Sequence, residues 1–187
     1  MKSLHIFAVH RKPVKYITMK AAFWFIILSI ALGSSAFSQE MNKKIMDPKY
    51  DEEILIGYCT KDALMQGDFG AVFSEEYAHY EVDMQYIDEI FLLNSDDEVL
   101  IVLGTWCHDS QEQVPRFFRV METLKYPEEL ISIICVDGNK TGGDLDISDL
   151  DIVKVPTFIF YRDGEEIGRI IETPENTLEQ DMFEILN

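Results

Sequence analysis

The sequence predicts an α/β fold in which a mixed β-sheet is flanked by helices, with an N-terminal helical extension before it. The continuous apolar run Val99–Leu103 is typical of a strand buried on both faces, and Ile131–Val136 predicts a second buried strand. A helical pattern over Ser110–Lys125 separates them, which indicates a parallel strand–helix–strand unit. Thr157–Tyr161 and Glu165–Glu172 then flank an Asp-Gly turn, which predicts an antiparallel hairpin. We therefore expect a mixed sheet with helices on both faces.

Residues 39–95 are predicted to be a leader and helical extension, and residues 96–187 the α/β domain. Residues 39–53 are polar and contain the breaker Asp47-Pro48, so little structure is expected there. From Ile54 to Asn94 the spacing of apolar residues is helical, with an aromatic stripe that we interpret as core packing. The predicted helix N-caps are Thr60, Asp83 and Thr177, the last forming a capping box with Gln180 before a helix that ends at Leu186.

The first 38 residues have the pattern of a secretory signal peptide. Five basic residues and no acid precede Gln39, and the twelve-residue apolar run Ala21–Leu32 is shorter than the about 20 residues that span a bilayer. Ala36 and Ser38 place small residues at −3 and −1 of a cut after Ser38. The alternative is an uncleaved membrane anchor. Cleavage predicts a periplasmic or secreted protein, in a compartment where disulfides persist.

The charge of the chain argues against nucleic acid as a partner. The 187 residues carry 16 Lys and Arg against 34 Asp and Glu, a net charge of −18. After removal of residues 1–38, 11 basic residues face 34 acids, a net charge of −23. Such a surface repels phosphate backbones and anionic lipid headgroups, so we expect neither nucleic-acid binding nor stable membrane insertion after cleavage.

Several residues in the second half resemble the thioredoxin family. Trp106-Cys107 stands between a buried strand and a helix, as the nucleophilic cysteine of that family does, and Pro115 matches the proline inside its active-site helix. Val155-Pro156-Thr157 looks like its cis-proline loop, and the hairpin with Gly168 looks like its closing hairpin. The resemblance covers about residues 98–186 and implies a thioredoxin fold.

The resemblance implies that Cys107 is a redox nucleophile. A cysteine at the first turn of a helix lies near unpaired backbone N–H groups, which favour the reactive thiolate. A protonated His108 would add to this effect, and Trp106 stands beside the thiol. The cis-proline loop implies that backbone groups of Val155, next to Pro156, pair with an extended substrate peptide.

Two positions depart from the family pattern. The second cysteine of the family motif is Ser110 here, whose hydroxyl can donate a hydrogen bond to a thiolate but cannot displace a sulfur. At the position where the family often carries a buried acidic residue, this chain has Ile101. Cys59 is a candidate resolving thiol if its Cα lies within about 7 Å of that of Cys107; otherwise it is a buried or idle thiol, as we expect for Cys135.

We draw two functional hypotheses from these residues. The first is an exported oxidoreductase or isomerase-like protein that exchanges thiols and disulfides with client proteins or small thiols through Cys107. The second is a non-catalytic module that binds extended peptides beside Pro156. No cofactor is expected, and Cys107, His108 and His79 lack the paired spacing of a zinc or copper site. The sequence does not specify the oligomeric state, the client or the electron donor.

Overall fold

The computed structural model describes residues 40–91 and 97–187. The predicted signal peptide, its cut after Ser38 and residues 92–95 of the predicted extension lie outside the described residues. The described strands are β1 (Lys43–Met46), β2 (Glu53–Cys59), β3 (Glu98–Leu103), β4 (Ile131–Cys135), β5 (Thr157–Arg162) and β6 (Glu165–Ile171). The described α-helices are α1 (Lys61–Leu64), α2 (Gly67–His79), α3 (Met84–Phe91), α4 (His108–Leu124) and α5 (Leu178–Leu186). None of these helices is both long and apolar enough to cross a bilayer.

The strands form one mixed sheet in the order β1-β2-β4-β3-β5-β6. β3 and β4 pair in parallel, and the pairs β1–β2, β2–β4, β3–β5 and β5–β6 are antiparallel. Asp163 and Gly164 both have positive φ in the β5–β6 turn, which is the conformation that an Asp-Gly hairpin turn adopts. The predicted α/β class with a mixed sheet is therefore confirmed.

Side chains along the central strands point alternately to the two faces of the sheet, so each face has its own cluster of buried residues. Ile101 and Leu103 of β3 point into the larger cluster, which also contains buried side chains of all five helices. Val102 points into a smaller cluster on the other face. Ile147 and Val155 from the connector between β4 and β5 cover this second face, together with partly buried side chains of the same connector.

The prediction of helices on both faces is therefore wrong for the second face. The connector contains one helical turn, the 3-10 segment Ser148–Leu150, within a run rich in glycine and aspartate. Such a composition favours turns over a continuous helix. The face that carries Trp106 and Cys107 is consequently covered by an irregular segment.

The N-terminal part of the chain also differs from the prediction. The expected leader contains β1, and the expected helical start at Ile54 is β2, which pairs with β4 from Gly57 to Cys59. A short apolar run is compatible with a strand or a helix, and here its pairing with a distant strand decides the structure.

The helices that follow β2 do agree with the sequence. The hydroxyl of Thr60 caps α1 by accepting a hydrogen bond from the Ala63 N–H, at 3.2 Å. The Tyr80 hydroxyl and the Asp83 N–H donate to the buried carboxylate of Glu179 on α5, at 3.1 and 3.2 Å. These bonds tie the region after α2 to the C-terminal helix.

Candidate active site

The sulfur of Cys107 lies at the junction between the end of β3 and the start of α4. Cys107 is the N-cap residue of α4, and its carbonyl accepts the first helical hydrogen bond from the Gln111 N–H, at 3.0 Å. Its own N–H donates to the Gly104 carbonyl at 2.9 Å, which closes a tight turn after the strand. The side chain makes no capping bond and is half-buried. The thiol therefore stands at a helix N-terminus, at the carboxyl end of a central strand.

The proline loop predicted to face this thiol does so. The Cys107 thiol donates to the carbonyl oxygen of Val155, with 3.2 Å between Sγ and oxygen. The Val155–Pro156 peptide bond is cis, and both residues are buried. The Pro156 carbonyl accepts from the Glu172 N–H at 2.6 Å, so the loop is fixed to the end of β6. The structure thus brings together Cys107, Val155 and Pro156.

Trp106 is held on two sides next to Cys107. Its indole Nε1–H donates to the Val136 carbonyl at 2.9 Å. The ring of Tyr50, from the turn between β1 and β2, stacks on it with 4.9 Å between centroids and 28° between planes. A Cβ at Gly104 would lie 2.6 Å from the indole, so only glycine leaves room for this ring position.

Ser110 and His108, the other two predicted site residues near Cys107, have different surroundings. Ser110 is fully buried in the first turn of α4, and its Oγ accepts from the Gly104 N–H at 3.3 Å. That bond ties the helix to the strand–helix turn, which gives Ser110 a structural contact. His108 is exposed at the first position of α4.

The structure does not bring Cys59 next to Cys107. Cys59 pairs with Ile133 of β4, which pairs in turn with Ile101 in the middle of β3. Cys59 therefore lies two strand spacings, about 10 Å, from Ile101. This distance already exceeds the separation of Cα atoms that a disulfide allows, and Cys107 lies further along the chain than Ile101. Cys59 is buried in the larger cluster, whereas Cys107 packs against the smaller one.

The neighbour of Cys59 is Cys135, and both thiols are free. A hydrogen bond from the Cys135 thiol lowers the pKa of Cys59, while burial raises the pKa of Cys135 well above its usual value. Cys135 is fully buried in β4, as its apolar sequence context predicts. The two thiols form a core contact, and Cys59 is not positioned as a resolving thiol for Cys107.

The turn between β1 and β2 is a part of the site that sequence reasoning missed. Asp47 is buried, and its carboxylate accepts from the N–H groups of Gly138, Lys49 and Tyr50 at 2.6, 2.7 and 2.9 Å. The Lys49 ammonium donates to the Gly138 carbonyl at 3.1 Å. The turn is thus fastened to the loop after β4, which places Tyr50 against Trp106. The Asp-Pro pair that we interpreted as a breaker was the available signal, because aspartate often accepts from backbone N–H groups two residues on.

A groove of about 640 Å³ lies along the connector, lined by residues 140–148 and 151–153. Three aspartates contribute to its lining: Asp144, Asp146 and Asp151. Within residues 40–91 and 97–187, no cluster of three or more acidic, histidine or cysteine side chains is arranged to hold a metal ion. The Asp144 carboxylate is paired with the Lys43 ammonium at 2.8 Å.

Comparison with known proteins gives similar stretches in two thioredoxins. The chain is 37% identical over 82 residues to thioredoxin Y1 of Arabidopsis thaliana chloroplasts, a match that covers 43% of this chain and 45% of that protein. It is 31% identical over 91 residues to a thioredoxin of Ictalurus punctatus, covering 48% of this chain and 81% of that protein. The chain therefore spans a little under half of the first relative and about four-fifths of the second. No protein-family model matches.

Solved structures are also similar to this chain, among them the following two. A protein of unknown function from Pseudomonas aeruginosa matches with a TM-score of 0.46 and 12% identity, over 62% of this chain and 70% of that one. Thioredoxin O1 of Arabidopsis thaliana in its oxidised state matches with a TM-score of 0.36 and 20% identity, over 68% of this chain and 94% of that one.

Proposed function

Because the chain belongs to the thioredoxin family, we propose that it exchanges thiols and disulfides with Cys107 as its single nucleophile. The observation that carries this proposal is the position of the Cys107 sulfur, half-buried at the N-terminus of α4 and 3.2 Å from the Val155 carbonyl. A helix N-terminus stabilises the thiolate, which is the attacking species in exchange. The hydrogen bond from the Cys107 thiol to the Val155 carbonyl places the sulfur beside the cis-proline loop.

The exchange proceeds in two balanced steps. The Cys107 thiolate attacks one sulfur of a client disulfide, forms a mixed disulfide with it and releases the other sulfur as a thiolate. A second thiolate, either from an external thiol or from another cysteine of the client, then attacks the client sulfur of the mixed disulfide and releases the Cys107 thiolate. The client is left bonded to the external thiol in the first case, and with a disulfide between two of its own cysteines in the second. The number of disulfide bonds is unchanged, so this cycle suits isomerisation or the removal of small-thiol adducts.

The external thiol is required because the chain supplies no resolving sulfur beside Cys107. Ser110 stands at the second motif position, and its Oγ accepts from a backbone N–H. Cys59 is buried in the larger core cluster, where its thiol donates to the Gly57 carbonyl at 3.5 Å. We propose that client proteins or small thiols supply the second sulfur and that no cofactor takes part.

We also propose that the protein works outside the cytoplasm after cleavage following Ser38. The basic, apolar and small-residue order of residues 1–38 supports this proposal. N-terminal sequencing of protein recovered from the periplasm or medium tests it. A chain that begins at Gln39 is expected, and a chain retained in the membrane with residues 1–38 intact would overturn it.

Trapping of mixed disulfides tests the exchange. Full-length wild type, Cys107→Ser and the matched control Cys59→Ser are incubated with a peptide disulfide, quenched by acid and analysed by intact mass. We expect one adduct per chain in the wild type and the control, and none in Cys107→Ser. Equal adduct formation by Cys107→Ser would overturn the proposal, and an inert wild-type chain that still binds the reduced peptide would favour the peptide-binding module.

A further inference from the structure

Tyr50 is exposed beside the proposed nucleophile although it comes from a distant part of the chain. It keeps 44% of its surface exposed while its ring stacks on Trp106, the residue before Cys107. Tyrosine and tryptophan rings in contact form one larger apolar surface, and such a pair contributes more than its buried area alone. The two rings therefore form an aromatic surface that includes the residue next to Cys107.

The position of Tyr50 is fixed by buried polar contacts. The carboxylate of Asp47 binds the backbone N–H of Tyr50 and that of Gly138 at the same time. A Cβ at Gly138 would lie 2.7 Å from the Tyr50 ring, so the backbone of this loop approaches the ring as closely as glycine allows. The Lys49 ammonium lies 5.1 Å from the centre of the same ring. Tyr50 is thus held in place before any substrate arrives.

We propose that Tyr50 is a positioning and specificity-determining residue for exchange at Cys107. It holds the Trp106 indole in place, and its exposed ring favours client disulfides that carry an aromatic or large apolar residue next to the attacked cysteine. This inference rests on the proposed function, since it concerns which disulfides Cys107 attacks. The side chain of the client packs on the two rings while its sulfur lies in line with the Cys107 thiolate.

The test compares three disulfides on the full chain. Two are the same peptide disulfide with Phe or with Ser beside the half-cystine, and the third is a small aliphatic disulfide. Rates of adduct formation at Cys107 are measured for wild type, Tyr50→Ala, Tyr50→Phe and Tyr50→Leu. Met46→Ala is the matched control, because Met46 is an exposed apolar residue of the same hairpin.

We expect wild type to prefer the Phe peptide over the Ser peptide and Tyr50→Ala to lower that ratio about three- to tenfold. Tyr50→Phe should restore the ratio because it keeps the ring, Tyr50→Leu should restore it in part, and Met46→Ala should match wild type. The rate with the small aliphatic disulfide should differ less than about twofold between wild type and Tyr50→Ala. Such a result would show that Cys107 has kept its reactivity and that only recognition of the client is lost.

The outcomes distinguish the two proposals. A wild-type Cys107 that reacts with none of the three disulfides overturns the proposed function and this inference with it. A reactive Cys107 whose Phe-to-Ser ratio is the same in wild type and Tyr50→Ala overturns the inference alone. Urea unfolding of each variant identifies any that fails to fold, and Tyr50→Phe and Tyr50→Leu then decide the result.

Discussion

Removal of the Asp47 carboxylate should weaken the fold by an amount that the structure allows us to estimate. Asp47 is 1% exposed and accepts three backbone N–H groups. Two of these donors, on Lys49 and Tyr50, belong to its own turn and can be rehydrated when the acceptor is lost. The third, on Gly138, is buried and lies 91 residues away in the sequence.

A hydrogen bond to a charged group contributes about 1.5–3 kcal/mol, and a buried donor left without its acceptor costs about 1–3 kcal/mol. We therefore expect Asp47→Ala to lower the free energy of unfolding by about 2–4 kcal/mol. Asp51→Asn is the matched control in the same turn, because Asp51 is exposed and asparagine tolerates its positive φ. Its effect should stay within about 0.5 kcal/mol.

The contribution of Asp47 should also depend on pH. Burial raises the pKa of this carboxyl, but the hydrogen bonds from Gly138, Tyr50 and Lys49 outweigh burial and hold the pKa below its usual value. A carboxyl with a lowered folded-state pKa stabilises the fold above its unfolded pKa of about 3.9, and this stabilisation is lost as the pH falls through the folded value. The stability difference between wild type and Asp47→Asn should therefore be largest near neutral pH and shrink in acid.

Urea unfolding at several pH values measures both quantities. The reasoning is refuted if Asp47→Ala destabilises the protein no more than Asp51→Asn. It is also refuted if the difference between wild type and Asp47→Asn grows as the pH is lowered from 6 to 3.

Three further changes have expected outcomes. Gly104→Ala should lower the free energy of unfolding in urea by about 1–3 kcal/mol, because a Cβ would lie 2.6 Å from the Trp106 indole. In a Trp24→Phe background it should also shift the fluorescence of Trp106, and an unchanged spectrum would contradict this. Phe117→Ala should lower the free energy of unfolding in urea by about 3–5 kcal/mol, because this fully buried ring packs on three other phenylalanines. A decrease of less than about 1 kcal/mol would be inconsistent with that packing. Asp97→Asn should lower the free energy of unfolding at neutral pH by about 1–2 kcal/mol, because it removes the charge of a carboxylate that accepts two hydrogen bonds from Arg162. A variant as stable as the wild type would show that this ion pair contributes nothing.

The sequence predicted the central strands because their patterns are local. Val99–Leu103 is continuously apolar, and the structure buries alternate residues of β3 against two different clusters. The β5–β6 hairpin follows from its Asp-Gly turn, in which both residues adopt positive φ. The cis proline beside the thiol was expected from the resemblance, which supplied a spatial relation that a single sequence lacks; the hydrogen bond from Cys107 to the Val155 carbonyl is a finding of the structure.

The N-terminal strands could not be predicted in the same way. β1 has the sequence Lys-Lys-Ile-Met, with exposed and half-buried residues alternating, and it forms because it pairs with β2 at the edge of the sheet. Cys59 was a candidate resolving thiol on the condition that its segment folds over the edge of the site. The register of β2 on β4 instead pairs Cys59 with Ile133, in the core cluster that also contains Cys135. Tyr50 was missed because its stacking on Trp106 depends on long-range hydrogen bonds between its turn and Gly138.

The most direct test of the central claim is the reactivity of Cys107 in the folded and the unfolded chain. The full-length protein is exposed to a small disulfide at one neutral pH, with and without denaturant, and the adduct at each cysteine is quantified over time by peptide mapping. We predict that Cys107 reacts at least several-fold faster in the folded protein, while Cys59 and Cys135 react only after unfolding. A folded Cys107 that reacts no faster than the unfolded one would contradict the claim that this fold activates its sulfur.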